Sequence, residues 1–404
     1  MAEPRPYDLV LFGATGFTGG LTAEYLAAAA PEGCRWALAG RDRGRLAAVR
    51  SRLAEIDPRC ADLPLLVADA ADREALREVA ASARVVISTV GPYLRHGEPL
   101  VAACAESGTD YVDLTGEPEF VDRMYLRHHE RAVASGARLV HACGFDSVPH
   151  DLGVLFTVDE LLRRGGPLGH LSVEGYVRVG GTVSGGTFAS ALLAFSRPRA
   201  MAGAAKARRA AEPWPQGRRI HTPMGGVRRS VPARAWVVPM PAIDPQVVAR
   251  SAAGLAEYGE EFGYTHYAAV KRLPIALGGI AAVAGIAVAA QLPSLRRLLG
   301  SLRKPGEGPN EQQRARNWFT VRFAARTDDG RAVLAEVSGG DPGYQETAKM
   351  LAESALCLAY DELPPTSGQL TTAVAMGRPL IDRLLKTGIT FRVLDGLPSA
   401  APGR

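Results

Sequence analysis

From Asp8 to about Phe145, short apolar runs alternate with stretches whose apolar residues recur at helical spacing. Asp8 to Phe12, Arg35 to Ala39, Leu63 to Ala68 and Arg84 to Val90 read as successive strands, and Tyr111 to Leu114 and Ala137 to Ala142 as two more. Helices are predicted between them, over Leu21 to Ala30, Arg43 to Ile56, Arg73 to Ala81, Leu100 to Ser107 and Phe120 to Ser135. Apolar strands in strict alternation with helices predict a parallel sheet covered on both faces. The rhythm changes after Pro149. Leu171 to Val179 and Arg234 to Val238 read as strands, and Asn317 to Arg326 and Arg331 to Val337 flank a Thr327-Asp-Asp-Gly330 hairpin turn. The expected architecture is α/β: a parallel-sheet domain over 1–150, a mixed α+β domain over 151–340, and C-terminal helices over 341–404 packing back on the first domain. Asp341-Pro342 supplies a cap and a first-turn proline for the last part.

Composition narrows this picture only a little. With 47 % hydrophobic and 22 % charged residues the chain is an ordinary globular one, and a net charge of +5 does not argue for nucleic acid. The five cysteines are scattered, with no C-x-x-C pair, which suits a reducing compartment and shows no metal-ligand spacing. Strand-like residues begin at Asp8, so the cytoplasm is the expected location.

Two stretches of the second half stand out. Residues 197–234 hold ten Lys or Arg and one acid, Glu212, which reads either as a solvated basic loop or as a docking surface for something acidic. Leu273 to Leu295 is uncharged and lies between Arg272 and Arg296-Arg297. A buried or interface helix is the favoured reading, with a wall for an acyl chain or a peripheral lipid contact as a second and a membrane span as a third.

The candidate chemistry gathers in the first half. Gly13-Ala14-Thr15-Gly16-Phe17-Thr18-Gly19 follows the first strand at once and opens the first helix. Such a loop brings backbone against a pyrophosphate and offers it the unpaired N–H groups of a helix start, a Rossmann-type dinucleotide site. Arg41 stands where an NAD-binding fold generally places an acid, and a guanidinium suits a 2′-phosphate, so NADP(H) is the expected cofactor. Asp42 is read as a cap or a ribose contact, and Asp69 as an adenine-side contact or a helix cap. Thr89, Val90, Gly91 and Pro92 end the fourth strand and are expected beside the nicotinamide, with Tyr93 and His96 facing the cleft. Asp113, Thr115, Gly116 and Glu117 point to the same edge or cap the next helix. Asp146 either orients substrate or opens a turn, Cys143 is a packing residue, and Ser184-Gly-Gly-Thr187 starts a helix at the cleft floor. G-x-S-x-G and Walker motifs are absent from the sequence, so a nicotinamide must carry most of the chemistry. Tyr93, His96 and Asp146 are the candidate proton-handling groups.

Asp8 to Gly19, Leu38-Ala-Gly-Arg41, Thr89-Val-Gly-Pro-Tyr93, Asp110 to Glu117 and Cys143-Gly-Phe-Asp-Ser-Val-Pro149 together resemble the saccharopine dehydrogenase-like oxidoreductases, and within them the actinobacterial trans-acting enoyl reductases. The resemblance extends along most of the chain, more loosely in its second half. It implies a stand-alone NADPH-dependent reductase of 2-enoyl thioesters, working with a polyketide synthase and an acidic acyl carrier domain. Rival expectations are an amino-acid or imine dehydrogenase, and a catalytically silent NADP-binding protein at a lipid surface.

Overall fold

The structure is a computed structural model and describes residues 5–181, 185–301 and 309–394. Seven strands build the first sheet: β1 (Tyr7–Phe12), β2 (Trp36–Gly40), β3 (Leu65–Val67), β4 (Ala83–Ser88), β5 (Asp110–Asp113), β6 (Arg138–Val140) and β14 (Gly368–Leu370). Their order is β14-β6-β5-β4-β1-β2-β3, and every pair is parallel. Leu9, Val10, Leu11, Leu38, Val86 and Ile87 are fully buried, as strands covered by helices on both faces must be. The register aligns Phe12 with Ala39 and Ser88, and Ser88 with Asp113, so the carboxyl ends form one level edge.

Local chemistry sets the covering helices. Asp42 and Asp72 cap the helices Arg43–Ile56 and Arg73–Ser82, accepting from the N–H groups of Arg45 and of Glu74 and Ala75. Pro118 stands in the first turn of Pro118–Ser135, where its missing N–H costs nothing. All five predicted helices are present within a few residues of their expected bounds.

The second sheet is mixed. Its strands are β7 (His170–Gly180), β8 (Arg219–His221), β9 (Arg228–Ser230), β10 (Ala235–Pro239), β11 (Glu261–Val270), β12 (Trp318–Thr327), β13 (Ala332–Gly339) and β15 (Thr390–Leu394). They run β15-β13-β12-β7-β11-β10-β9, with β8 beside β11. The β12–β13 hairpin turns through Thr327 to Gly330 as expected. Strand β11 was not expected: Gly263, Thr265 and His266 interrupt its apolar pattern, yet most of it is buried. The helix Val148–Gly165, also unexpected, links the sheets. It begins at the β6 edge and packs on β12 and β13, where a Cβ on Gly153 would lie 2.3 Å from the Phe323 ring.

The C-terminal part serves both sheets. Helix Gln345–Tyr360 packs on the first sheet and its first helix, Phe17–Ala29. It starts later than Asp341-Pro342, but Asp341 still accepts from Gln345 N–H at 3.1 Å. β14 extends the first sheet and β15 the second. Buried Asp151 pins this segment by accepting from Thr372 Oγ1 at 2.7 Å and Ala373 N–H at 2.8 Å. All five cysteines are free thiols.

The basic stretch is not a loop. It forms the helix Pro198–Ala211 and strands β8 and β9, and half of its charge is spoken for. Arg208 is 2 % exposed, paired with Glu212 at 2.8 Å and stacked on the Tyr125 ring at 4.2 Å. Arg197 pairs with Glu119, Arg228 with Glu174, and Arg218 donates to the Gly259 and Leu255 carbonyls. In each adjacent pair (208/209, 218/219, 228/229) one arginine is drawn inward and its neighbour is exposed.

Candidate functional site

The carboxyl edge of the first sheet collects the chemistry. β1 ends in Gly13 at φ +95°, a conformation that side chains resist, and the chain turns at once into the helix at Phe17. A Cβ on Gly19 would lie 2.1 Å from the Gly13 carbonyl oxygen, so only glycine allows this close helix–strand approach. Gly16 occupies the N-cap position without a side-chain cap, leaving the first-turn N–H groups for a phosphate. Ala14, Thr15 and Thr18 complete the loop. Thr89 Oγ1 hydrogen-bonds the Phe12 and Gly13 carbonyls at 3.2 and 3.1 Å, so the end of β4 braces it. Arg314 stacks over the Phe17 ring at 5.8 Å and Tyr344 meets its edge at 4.8 Å, bringing the C-terminal half onto the same loop.

Arg41 stands exposed at the end of β2, and among the described residues it has no ion-pair partner. Exposed Arg45 reaches the Thr15 carbonyl at 3.4 Å, so two guanidiniums flank the loop. Asp42 is engaged as a helix cap, and Asp69 accepts from Ala71 N–H at 2.9 Å within its own turn. The tight glycine cradle, the uncapped helix start and the free Arg41 fit a 2′-phosphorylated dinucleotide.

Val90 packs against the glycine loop, and Gly91-Pro92 joins through a cis peptide. Tyr93 follows, but not as a cleft residue. It is 5 % exposed, and its hydroxyl donates to the Ser88 carbonyl at 3.0 Å and accepts from Leu114 N–H at 3.2 Å. Both functions of the phenol are thus used to tie β4 to the end of β5, and burial pushes its pKa well up. The reading of Tyr93 as a group facing the cleft is corrected. His96 is exposed at the end of the short helix Tyr93–His96.

Glu117 does not cap its helix with its side chain. Buried, it accepts from the N–H groups of Tyr93 at 3.0 Å and Leu94 at 2.9 Å and from Ser190 Oγ at 2.7 Å, joining the turn to helix Gly185–Phe195. Asp113 holds the next two strand ends together, accepting from Thr115 and Ala142 N–H at 3.0 Å and bonding His141 Nδ1 at 2.7 Å. Cys143 is buried, with its thiol raised by burial, in line with a packing role. Ser184 lies outside the described residues.

Asp146 does reach the edge. It is partly exposed, and its Oδ2 lies 3.2 Å from where a Cβ on Gly116 would stand. Burial and the negative charge of Asp244, opposed by His150, hold its carboxyl up at about 6. Behind it the fold assembles a cluster that no spacing in the sequence announces. Asp244 Oδ1 lies 3.0 Å from His150 Nδ1 and Asp244 Oδ2 3.5 Å from His266 Nε2, all three residues being buried. Tyr264 Oη bonds His266 Nδ1 at 2.9 Å, while burial lowers His266 to about 4. The three come from a helix entry, a second helix start and β11, so only the tertiary fold makes them neighbours.

Residues 9–140 match the family model for the saccharopine dehydrogenase NADP-binding domain. A trans-acting enoyl reductase of Mycobacterium ulcerans is 38 % identical over 419 residues, covering 95 % of this chain and 97 % of that protein. A Mycobacterium leprae protein of the same name is 37 % identical over 421 residues, covering 96 % and 98 %. Among solved structures, apo saccharopine dehydrogenase (L-Glu forming) from Saccharomyces cerevisiae aligns with a TM-score of 0.56 at 14 % identity, over 96 % of this chain and 100 % of that one. That structural likeness bears on the fold, whereas the identity to the mycobacterial proteins spans both sheets. The cradle, Arg41 and these full-length relatives make this chain a member of the trans-acting enoyl reductase family, an NADP-dependent oxidoreductase built on a saccharopine dehydrogenase-like fold.

Proposed function

We propose that the protein reduces the α,β double bond of a 2-enoyl thioester with NADPH, giving the saturated thioester and NADP⁺. Bound at the cradle, NADPH supplies the hydride, which goes to the β-carbon, and a proton goes to the α-carbon. The Phe17, Thr18 and Gly19 N–H groups would hold the pyrophosphate, Arg41 and Arg45 the 2′-phosphate, and Val90 to Pro92 would wall the nicotinamide. Asp146 is the proton-handling residue in this reading. It carries the proposal because it alone among the three candidates is both half-buried and set against Gly116 at the strand edge. Tyr93 is consumed by the fold.

The acidic carrier domain that the family resemblance implies has a narrower landing place than the raw charge suggests. Arg209, Arg219 and Arg229 are exposed, Arg219 at 3.3 Å from Glu261, whereas their neighbours are drawn into the fold. Replacing these three by glutamate should raise KM for a carrier-bound enoyl substrate at least tenfold and leave free thioesters unchanged; equal effects on both would remove the docking role. For the chemistry, purified protein is offered NADPH and trans-2-enoyl thioesters, free and carrier-bound. Asp146→Asn should lower kcat at least tenfold with NADPH affinity within twofold of wild type. An unchanged kcat would remove Asp146 from the reaction.

A further inference from the structure

The helix Leu273–Gln291 is long and apolar enough to cross a membrane, yet in this fold it is the reverse of a core helix. Only Ala276 and Ala290 are buried, and both lie on one narrow side. Ile275, Leu277, Ile280, Val283 and Val288 are 40 to 69 % exposed and are spread over roughly 220° of the circumference at 3.6 residues per turn. A protein partner covers one stripe of a helix. A helix that is apolar all round and bare on most sides calls for a solvent that is itself apolar.

Charge indicates which one. From Lys271 to Ser301 the chain carries Lys271, Arg272, Arg296 and Arg297 and no acid, so cations bracket the apolar segment at both ends. Such flanks are drawn to anionic headgroups and repelled by nothing there. Leu292 and Leu295, 52 and 39 % exposed, carry the apolar surface into the following helix, Pro293–Ser301.

Topology then limits how the helix can enter. β11 ends at Val270 and β12 begins at Trp318, and both pair with β7 in one sheet. A single crossing would leave these strands on opposite sides of the bilayer. A return crossing has no apolar segment to use, because residues 292–317 include Arg296, Arg297, Arg303, Lys304, Glu307, Glu311, Arg314 and Arg316.

We propose that Leu273–Gln291 is a monotopic anchor, lying in the interface of a bilayer that contains anionic phospholipid. It holds the reductase against that surface without spanning it. This inference stands apart from the substrate assignment.

The test is flotation of the purified full-length protein with phosphatidylcholine vesicles, with and without phosphatidylglycerol. The wild type should float with the phosphatidylglycerol vesicles and bind neutral ones at least tenfold less. Ile280→Asp/Val288→Asp should cut flotation at least tenfold with an unchanged melting temperature, because both positions are exposed. Arg296→Gln/Arg297→Gln should weaken binding and its salt dependence together. Wild-type protein that stays at the bottom of the gradient overturns the proposal. If that protein is also a dimer that the aspartate pair converts to monomer, the helix is covered by a second copy instead. Equal binding to neutral and anionic vesicles would overturn the charge selection.

Discussion

The two sheets of this molecule are of nearly equal size, but their strand directions differ and so do their uses. In the first, seven parallel strands end at one edge, where ligands of open α/β sheets gather. Gly13, Arg41, Thr89, Gly91, Gly116 and Asp146 all come to that line from separate places in the chain. In the second, β12 runs against β7 and β13 against β12, while β11 runs with β7, so strand ends are shared between both rims. Its polar residues serve mostly to hold elements together: Glu336 is clamped between Arg322 and Arg392, and Glu174 takes Arg228. One sheet presents an edge, and the other presents a body on which the edge is mounted.

The contrast is sharpest between two arginines. Arg41 is exposed and, among the described residues, has no ion-pair partner, whereas Arg208 is sealed among Asp122, Glu212 and Tyr125. A positive charge in the sequence says little until its partner is known.

The strongest way to break the comparison is at the cradle. Gly19→Val would drive a side chain into the Gly13 carbonyl, and should abolish measurable NADPH binding, a loss of at least 100-fold by fluorescence titration. Retained binding would mean the edge does not hold the pyrophosphate there. Arg208→Ala should cost about 1–3 kcal/mol of unfolding free energy, because it strips the buried contacts of Arg208 and leaves Asp122 and Glu212 to Arg250 alone. Arg209→Ala, one residue along, should leave the denaturation midpoint unchanged, and equal losses would contradict the division between inward and outward charges. Arg41→Ser should raise the Kd for NADPH by about 10- to 100-fold and leave that for NADH within twofold. Tyr93→Phe is the smallest. It should lower stability by about 1–3 kcal/mol through the unpaired Leu114 N–H and Ser88 carbonyl, with kcat changed less than threefold. A tenfold fall in kcat at constant stability would return the phenol to the chemistry.

Much of the first sheet was legible in the sequence because its signals are local. A strand, a glycine turn and a helix start stand within a dozen residues at Tyr7 to Gly19, and the same βα unit repeats. What could not be read was whatever depends on contacts across the chain. β11 was invisible because glycine, threonine and histidine break its pattern, and with it went His266 and the cluster around Asp244. Nor could the place of the Tyr93 phenol be read, because position at a strand end does not reveal which way a hydroxyl turns. Glu117 could be placed at the strand edge or as a helix cap, and only the fold shows it holding the Tyr93 turn and Ser190. For the basic stretch the sequence leaves a solvated loop and a docking surface both open, because charge can be counted there but pairing cannot.

The most direct measurement is isotopic. NADPH carrying deuterium at C4 is mixed with the protein and a trans-2-enoyl thioester, and the product is analysed by mass spectrometry and NMR. The account predicts a saturated thioester with one deuterium at the β-carbon, a solvent proton at the α-carbon, and at least tenfold less product with NADH. Deuterium found elsewhere, or no transfer to any free or carrier-bound enoyl thioester despite tight NADPH binding, would contradict it.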